Sequence, residues 1–507
     1  MLANDSTGTL EHDQAPNSFV RIHMVASATA TVTEFPNPKE SSGLEAAKGE
    51  LHEPERPHLQ VDNTGHSKFR QAVDKFLWRG GSGWDALLNS ASAQVGQVIL
   101  TIPTSLAQMG FTSGILMQLM CAVMGVWTAY LLCVLYNEFN AQRQSAGIKD
   151  NGRVTQYHEV VEYFAGRWMR RAALFFNIIS LIGLGVVQIV ACASDVYIMN
   201  PSLNKRDWAL VFGGLSLLTI LLPSFHNYRV WSFLGLLATT YTSWYMVGAS
   251  VDKGRVPHTV HNGPSGLRDW FVGFTNILFA YGGHSITVEI MHAMWRPRRF
   301  GWIYGIATLY VLTLTLPDSI SMYWAYGNSL LKGSNALAHL DKSNARDTAI
   351  VLMVIHQCVA FGLFTLPVYF MWEKAIGTHT KPYWIRLPSR IPVVLVIWFF
   401  ALLVPFFSLL NSIFGALLTS FATYIIPSVV YIITFRKQEA RQNAVMKPPA
   451  FIGRSWNIAF AINIFIIFSI LTIGVGFGGW ASIAAFRASV SQYKVFGACY
   501  QCAPASG

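Results

Sequence analysis

The stretch FAYGGHSITVEIMHAMWRPRRF, from Phe279 to Phe300, decides how the fold is interpreted. It begins inside an apolar segment long enough to cross a bilayer, since a membrane helix needs about 20 residues. Gly282 and Gly283 interrupt that segment near its middle, and the titratable His284 follows them directly. Irregular backbone at membrane depth is tolerated only where protein or water surrounds it. The stretch therefore predicts an interrupted membrane helix with polar groups gathered at the interruption.

Composition indicates a polytopic membrane protein. Charged residues make up only 12% of the 507 residues, and apolar residues make up 52%. The net charge is +11, but residues 1–67 hold ten acidic and four basic residues, so the basic excess lies in the short loops of the remaining chain. That distribution is an orientation signal, and it argues against a nucleic-acid surface. Residues 1–67 lack an apolar core and are predicted to form a disordered acidic tail.

Hydropathy predicts eleven membrane spans and therefore an all-α fold. The predicted organisation is an acidic tail at 1–67, a transmembrane domain at 68–485 and a second tail at 486–507. The spans are expected at residues 86–109, 113–137, 171–199, 207–223, 231–250, 269–293, 302–326, 346–371, 389–408, 410–434 and 456–484.

Loop charge predicts the orientation of these spans. With the amino terminus in the cytoplasm, the inside loops hold 23 Lys and Arg residues and the outside loops hold ten. Lys and Arg concentrate in the cytoplasmic loops of membrane proteins. The amino terminus is therefore expected inside and, after an odd number of spans, the carboxyl terminus outside. Residues 155–165 predict a short amphipathic helix on the cytoplasmic surface.

Span 1 contains the same kind of interruption as span 6. Gly96 lies between Gln94 and Gln97, and Pro103 follows. Transporters built from inverted repeats use two such broken helices, whose free backbone groups and half-helix dipoles face the substrate near the midplane. Because spans 1 and 6 are five apart, a 5+5 inverted repeat plus one further helix is predicted. The alternative is that these glycines only permit close helix contact.

Several motifs, in order along the chain, resemble the plant auxin influx carriers, the AUX/LAX branch of the amino acid/auxin permeases. They include LTIPTSLAQMG (100–110), VVQIVACASDVY (186–197), YGGHSITVEIMHAMWRP (281–297) and NSIFGALLTSFATYIIPS (411–428). The resemblance extends from about Phe76 to Cys502. It implies eleven helices in a leucine-transporter-like fold, a plasma-membrane location and proton-coupled uptake of the auxin indole-3-acetate.

His284 is the first candidate for coupling a proton to an aromatic weak acid. Histidine titrates between an acidic exterior and a neutral cytoplasm, and when protonated it donates a charge-assisted hydrogen bond to a carboxylate. The alternative is a buried histidine with a structural role. Glu289 and His292 follow nearer the cytoplasm, where either residue would accept the proton or pair with the basic run after them.

Other spans supply further candidates. The side chains at i, i+4 and i+7 on span 3 share one helix face, and an acid inside a span is functional by default. A packing role is the alternative for Phe361 and Phe364, the two aromatic walls. The predicted proton-coupling residues are His284, Glu289, Asp195 and Asp318. The predicted substrate-binding residues are Gln94, Gln97, Gln188, Cys192, Tyr281, Gly282, Gly283, His284, His356, Gln357, Phe361 and Asn411.

The chain departs from the pattern of the land-plant carriers at several positions. Ala93, Thr104 and Pro201 stand where the resemblance would supply Asn, Tyr and Asp, and Asp195 and Asp318 stand where uncharged residues are usual. A proton-coupled symporter of neutral or aromatic amino acids is therefore an alternative, with one of these acids accepting the α-ammonium. A non-transporting sensor with a transporter's architecture is the third hypothesis.

Motifs for other kinds of chemistry are absent from the sequence. It contains no Walker A loop, no HExxH and no GxSxG, which argues against a pump or an enzyme. No cofactor or metal is expected, and protons are the expected co-substrate. The expected partners are an aromatic acid, protons and the lipid bilayer, and the expected oligomeric state is a monomer. Cys499 and Cys502, near the outside terminus, make a disulfide plausible.

Overall fold

The computed structural model describes residues 81–148, 153–222, 225, 228–333, 335–403 and 407–493. All of them belong to one unit, residues 63–507. Every regular element among these residues is a helix, and none is a β-strand. The acidic tail predicted at 1–67 and the Cys499–Cys502 pair lie outside the described residues.

The helices of the first half of the chain include two short pairs that each replace one long span. They are α1 (Gly83–Val95), α2 (Ile102–Met109), α3 (Phe111–Ser145), α4 (Tyr157–Met199), α5 (Lys205–Ser216), α6 (Tyr228–Lys253), α7 (Leu267–Ala280) and α8 (Thr287–His292).

The second half consists mainly of longer helices. They are α9 (Phe300–Tyr326), α10 (Asn344–Ala375), α11 (Tyr383–Leu403), α12 (Phe407–Phe414), α13 (Ile426–Phe435), α14 (Gln438–Gln442), α15 (Trp456–Ser469) and α16 (Gly479–Tyr493). Two π-helical segments, Gly415–Ile425 and Ile470–Gly478, join α12 to α13 and α15 to α16 without a break.

Both predicted interruptions are confirmed. The backbone leaves helical geometry at Gly96 (φ −1°, ψ −142°), and a short 3-10 helix, Gln97–Leu100, leads into α2. Between α7 and α8 the chain passes through Tyr281 and Gly282 and then a 3-10 helix, Gly283–Ile286. Glycine was the sequence signal in both places because it supplies no side chain to hold a regular helix against its neighbours.

Side chains from neighbouring helices bond to backbone oxygens at the interruptions. Thr423 Oγ1 donates to the Gly282 carbonyl at 3.2 Å, and Asn276 Nδ2 donates to the Thr101 carbonyl at 3.4 Å. Irregular backbone inside a bilayer is stable only with such partners. Gly282 also packs tightly, because a Cβ at this position would collide with Thr419. The packing and the interruption interpretations of this glycine therefore both hold.

Seven helical segments among the described residues are long and apolar enough to cross a membrane. The other four predicted spans coincide with α1–α2, α5, α6 and α7–α8, and three of these four are divided or short because of their local breaks. The count of eleven and the 5+5 repeat therefore stay predictions. The seven segments are Phe111–Ser145, Tyr157–Met199, Pro297–Lys332, Asn344–Ala375, Tyr383–Leu403, Ser408–Phe435 and Trp456–Ser491.

Large apolar side chains are exposed along these helices. Phe465 and Phe468 on α15 are 61% and 70% exposed, and Leu309 on α9 is 63% exposed. A soluble monomer rarely exposes apolar patches of this extent. These surfaces match a lipid environment, so the chain is a multi-pass membrane protein.

The packing of the helices places the two interruptions in the interior. Helix α4 packs along α10, and α10 packs along α6. Helix α9 contacts α1, α6 and α3, while α7 contacts α2, α3, α12 and the first π segment. Within α4, Gly166 leaves helical geometry (φ 81°, ψ −179°), so residues 157–165 form a separate helical segment, which agrees with the short helix predicted at 155–165. Its position on the cytoplasmic surface stays a prediction.

Candidate functional site

His284 is fully buried beside the second interruption and is held by hydrogen bonds. Its Nε2 lies 2.9 Å from the Gly125 carbonyl oxygen and 3.0 Å from Thr128 Oγ1. A carbonyl oxygen only accepts hydrogen bonds, so Nε2 carries a proton in this arrangement. Nδ1 is then the nitrogen that gains or loses a proton, and it lies 3.5 Å from the Tyr304 hydroxyl.

Gln94 brings an unpartnered amide to the same place. Its Oε1 accepts a hydrogen bond from Thr308 Oγ1 at 3.0 Å, whereas its buried Nε2 has no partner. A Cβ on Gly283 would lie 3.4 Å from Gln94 Cγ and 3.6 Å from the Tyr304 hydroxyl. The Gln94 side chain, the Tyr304 hydroxyl and His284 thus lie around Gly283. We call these three side chains the polar cluster.

Gln97 has a different environment from Gln94. Its amide and that of Asn411 bond reciprocally: Gln97 Nε2 donates to Asn411 Oδ1 at 3.3 Å, and Asn411 Nδ2 donates to Gln97 Oε1 at 3.1 Å. The sequence placed Gln94 and Gln97 on adjoining turns of one helix, but the break at Gly96 separates them. Gln97 ties the interrupted segment to α12, and Gln94 keeps a free donor.

One face of α9 contacts both interrupted helices. Tyr304 bonds to His284, and Thr308 bonds to Gln94. Two turns further along, Thr315 accepts from Gln118 Nε2 at 2.9 Å and lies 3.3 Å from the Tyr281 hydroxyl. Tyr304, Thr308, Thr315 and Gln118 were missed from sequence, although hydroxyls spaced by four and seven residues in an apolar helix were a usable signal.

The face of α4 that carries Gln188, Cys192 and Asp195 packs against α10. Asp195 accepts from Gln357 Nε2 at 2.7 Å and from Asn335 Nδ2 at 2.5 Å, so both of its oxygens are occupied. Cys192 Sγ lies 3.9 Å from the Val354 carbonyl, and Gln188 Oε1 has no partner. Asp195 thus connects the predicted face of α4 to Gln357 on α10 and to Asn335, which directly precedes the 3-10 segment that begins at Ala336.

His356 lies beside the first interruption. A Cβ on Gly96 would lie 3.4 Å from His356 Nε2, and a Cβ on Gly235 would lie 2.7 Å from Nδ1. The residue is fully buried, and neither ring nitrogen has a hydrogen-bond partner. Phe361 and Phe364, further along α10, are buried in the hydrophobic core, with no bond that joins them to the polar cluster.

Glu289 and Asp318 are buried acids without hydrogen-bond partners. No well-formed hydrogen bond from a described residue reaches either carboxyl group, although the Gln156 side chain lies close to Glu289. The sequence left open whether Glu289 pairs with the basic run after it, and the structure contains no such pair among the described residues. His292 instead lies near Tyr136, with 3.3 Å between Nδ1 and the hydroxyl. Among the described residues, no group of three or more His, Cys, Asp or Glu side chains is placed to hold a metal ion.

Hydrogen bonds and an ion pair hold the start of α1 in place. Asp85 Oδ2 accepts from the Gly81 and Ser82 amides at 2.6 and 2.8 Å, and Asp85 Oδ1 lies 3.1 Å from Arg229 Nε. The Trp295 amide, just after α8, donates to the Gly81 carbonyl at 2.9 Å. The first and second interrupted helices therefore meet at this end as well as at the polar cluster.

Comparison with known proteins agrees with this architecture. The family described as "Transmembrane amino acid transporter protein" matches residues 79–476. "Auxin transporter-like protein 4" of Medicago truncatula is 48% identical over 430 residues, which cover 85% of this chain and 89% of that protein. "Auxin transporter protein 1" of Arabidopsis thaliana is 48% identical over 435 residues, 86% of this chain and 90% of that protein. "Auxin transporter-like protein 1" of the same plant is 47% identical over 465 residues, 91% and 95% of the two chains.

Proposed function

The chain belongs to the transmembrane amino acid transporter family, in the branch of the auxin transporters, and from this premise we propose that it imports indole-3-acetate together with protons. Import proceeds by alternating access, in which the interrupted helices open the site to one side of the membrane at a time. The substrate class is an aromatic weak acid in its anionic form.

The polar cluster is the observation that carries this proposal. A carboxylate needs hydrogen-bond donors, and Gln94 Nε2 is a buried donor with no partner. The Tyr304 hydroxyl and protonated His284 Nδ1 supply two further donors around Gly283. Leaving a buried donor unpaired costs about 1–3 kcal/mol, and a bound carboxylate removes that cost. The rings of Tyr304 and Tyr424, 5.3 and 6.3 Å from the His284 ring, provide aromatic surface nearby.

A co-transported proton solves the electrical problem of importing an anion. Moving one negative charge into a cell with a negative interior costs about 2.3 kcal/mol per 100 mV. Protonation of His284 Nδ1 turns it from an acceptor of the Tyr304 hydroxyl into a donor, so binding of the proton and of the carboxylate reinforce one another. Glu289, five residues later and without a partner, is the next carrier of that proton. We propose that Asp318 and Asp195 also take part in proton coupling and that His356 contributes to substrate binding.

The second candidate function is proton-coupled symport of an amino acid, which the description of the family favours. A zwitterion needs an acceptor for its ammonium close to the site of its carboxylate. Asp318 is fourteen residues from Tyr304 on the same helix, about 21 Å along the axis, and the Asp195 oxygens already accept two amide hydrogen bonds. Neither acid is placed for that task when the carboxylate lies at Gln94, so the geometry favours the simple anion.

The finer architecture belongs to the same proposal. We expect eleven membrane spans with a 5+5 inverted repeat and one further helix, a plasma-membrane location, a cytoplasmic amino terminus and an extracellular carboxyl terminus. The carrier works as a monomer and uses protons, with no other cofactor. The tails at 1–67 and 486–507 flank the transporter domain. A non-transporting sensor is the remaining alternative.

Uptake of labelled indole-3-acetate into oocytes tests the proposal. External pH is set at about 5.5 and about 7.5, on either side of the histidine range, and uptake by water-injected oocytes is subtracted because the neutral acid crosses membranes unaided. We expect carrier-mediated uptake to be greater at the lower pH and to be inhibited by aromatic acids. Equal carrier-mediated uptake at both values rules out proton coupling. Inhibition by tryptophan alone supports the symporter, and tight binding without uptake supports the sensor.

A further inference from the structure

A cavity lies away from the interrupted helices. Its volume is about 630 Å³, and its walls come from the segment around the start of α4, from α4 beyond Gly166, from the end of α10 and from α11. None of its lining residues belongs to α1, α2, α7 or α8. The volume is in the range of sites that bind small molecules. This cavity is therefore separate from the polar cluster.

One end of the cavity is basic. Arg153, Arg170 and Lys374 line it, with Glu159 as the acid among its walls. Lys374 bonds to Glu159 at 2.9 Å, and Arg170 bonds to Glu162 at 3.2 Å. Arg153 makes no hydrogen bond or ion pair with another residue in the described part of the chain, which leaves its guanidinium available for an anion.

A buried histidine at the same end lacks a partner. His158 lines the cavity, is 6% exposed and has no hydrogen-bond partner at Nδ1. An unpaired buried polar atom is costly. A ligand that supplies a phosphate oxygen or a hydroxyl beside His158 removes this cost. The basic end is thus built for a polar, negatively charged group.

The other end of the cavity is apolar and reaches the lipid-facing surface. Ile178 and Ile182 of α4 face it, as do Pro392, Val393 and Val396 of α11. Pro392 and Val396 are exposed on a helix that crosses the membrane. A ligand in this cavity therefore has an apolar part that continues into the bilayer. A free inorganic anion would leave these apolar walls uncovered.

We propose that this cavity binds one anionic glycerophospholipid, with its phosphate at Arg153 and His158 and its acyl chains along α4 and α11. Basic pockets between membrane helices on the cytoplasmic side bind anionic headgroups. The inference rests on the orientation proposed above, in which this end of the bundle faces the cytoplasm. It does not depend on the identity of the transported substrate.

Lipid binding to the purified full-length protein tests the inference. The protein is reconstituted in nanodiscs of phosphatidylcholine containing about 20% phosphatidylinositol or phosphatidylglycerol, and retained lipid is counted by native mass spectrometry. We expect one retained anionic lipid per chain. Arg153→Gln should weaken its binding about five-fold, as one basic residue at a membrane surface contributes about 1 kcal/mol.

Two further variants separate binding inside the cavity from nonspecific attraction to basic residues. Arg167→Gln removes an exposed arginine that is outside the cavity and should leave binding unchanged. Val396→Trp fills the apolar end and should abolish retention of the lipid while leaving every basic residue in place. Equal retention of phosphatidylcholine, or equal effects of Arg153→Gln and Arg167→Gln, overturns the inference. So does displacement of the lipid by excess indole-3-acetate, which would assign the cavity to a soluble anion.

Discussion

His284 and His356 are both fully buried, and each lies beside one of the two interrupted helices, but their surroundings are opposite. His284 has contacts at both ring nitrogens, with Gly125, Thr128 and Tyr304. His356 has none. The first ring fixes the shape of the interrupted backbone and the position of its own titrating nitrogen. The second is a buried polar group without a well-formed hydrogen bond, so it should contribute less to stability than the first.

The same contrast separates other polar residues inside the bundle. Gln97 and Asp195 have their hydrogen-bonding atoms occupied, whereas Gln94 Nε2 and the Asp318 carboxyl group have no partners. Partnered groups contribute to stability, and unpartnered groups are available to a ligand or a proton at a cost in stability. Substitutions of partnered groups should therefore lower stability, and substitutions of unpartnered groups should leave it unchanged or raise it.

Substitution of His284 should cause the largest loss of transport. His284→Ala deletes the titrating nitrogen and removes the hydrogen bonds that the ring makes with the Gly125 carbonyl and the Thr128 hydroxyl. Because a hydrogen bond to a charged group contributes about 1.5–3 kcal/mol, we expect carrier-mediated uptake of indole-3-acetate to fall about 100-fold. His292→Ala, on the same interrupted helix, is the matched control and should retain most uptake. Normal uptake by His284→Ala would remove this residue from the mechanism.

Substitution of Gln94 should mainly affect the KM for uptake, whereas substitution of Gln97 should mainly affect stability. Gln94→Leu removes an unpartnered donor, so the KM for uptake should rise about tenfold. The Thr308 hydroxyl that bonds to Gln94 keeps the Tyr304 carbonyl as an acceptor, so the melting temperature should change little. Gln97→Leu leaves the Asn411 amide unpaired and should lower the free energy of unfolding by about 1–3 kcal/mol. Uptake kinetics and thermal unfolding in detergent measure the two quantities. A lower melting temperature for Gln94→Leu with unchanged KM would contradict the contrast.

His356 should show a gain in stability on substitution. His356→Leu replaces two unpartnered buried nitrogens with an apolar side chain of similar bulk, and we expect the free energy of unfolding to rise by about 1 kcal/mol. His284→Ala, by contrast, should lower the free energy of unfolding, because it loses the hydrogen bonds of a partnered ring. Tryptophan fluorescence during heating reports both variants under the same conditions. A loss of stability in His356→Leu would mean that the ring is compensated in the native bundle after all.

Substitution of the two buried aspartates should give the smallest difference in stability between a partnered and an unpartnered group. Asp195→Asn must turn one amide donor toward Asn335 or Gln357, so one hydrogen bond is lost, and stability should fall by about 1 kcal/mol. Asp318→Asn loses no hydrogen bond and should leave the melting temperature unchanged. Comparison of the two unfolding curves at neutral pH is sufficient. The contrast would be broken if both substitutions lowered stability equally.

Local sequence predicted the interruptions because their causes are local. Gly96 and the Gly282–Gly283 pair lower the cost of leaving helical geometry at their own positions, and Gly166 divides α4 close to the end of the predicted surface helix. The face shared by Cys192 and Asp195 was also predictable, since helical spacing alone determines it. These features require no knowledge of which helices are neighbours.

The partners of the polar groups were not predictable in this way. The Gln97–Asn411 pair joins residues that are 314 positions apart, and the His284–Thr128 contact joins residues 156 apart. Helical periodicity gives the face of a side chain but not the helix that it meets. The same limit explains why Asp195 and Asp318 looked alike in sequence, although three-dimensional packing gives amide partners to the first alone.

The Gln97–Asn411 pair has an electrical consequence. Both side chains are uncharged at every pH at which a cell lives, so their separation carries no charge through the electric field of the membrane. Presteady-state currents recorded under voltage clamp will therefore be silent when this contact opens, and they will report the movement of the proton and the anion instead. Opening of the pair therefore needs an optical or distance probe placed at α12.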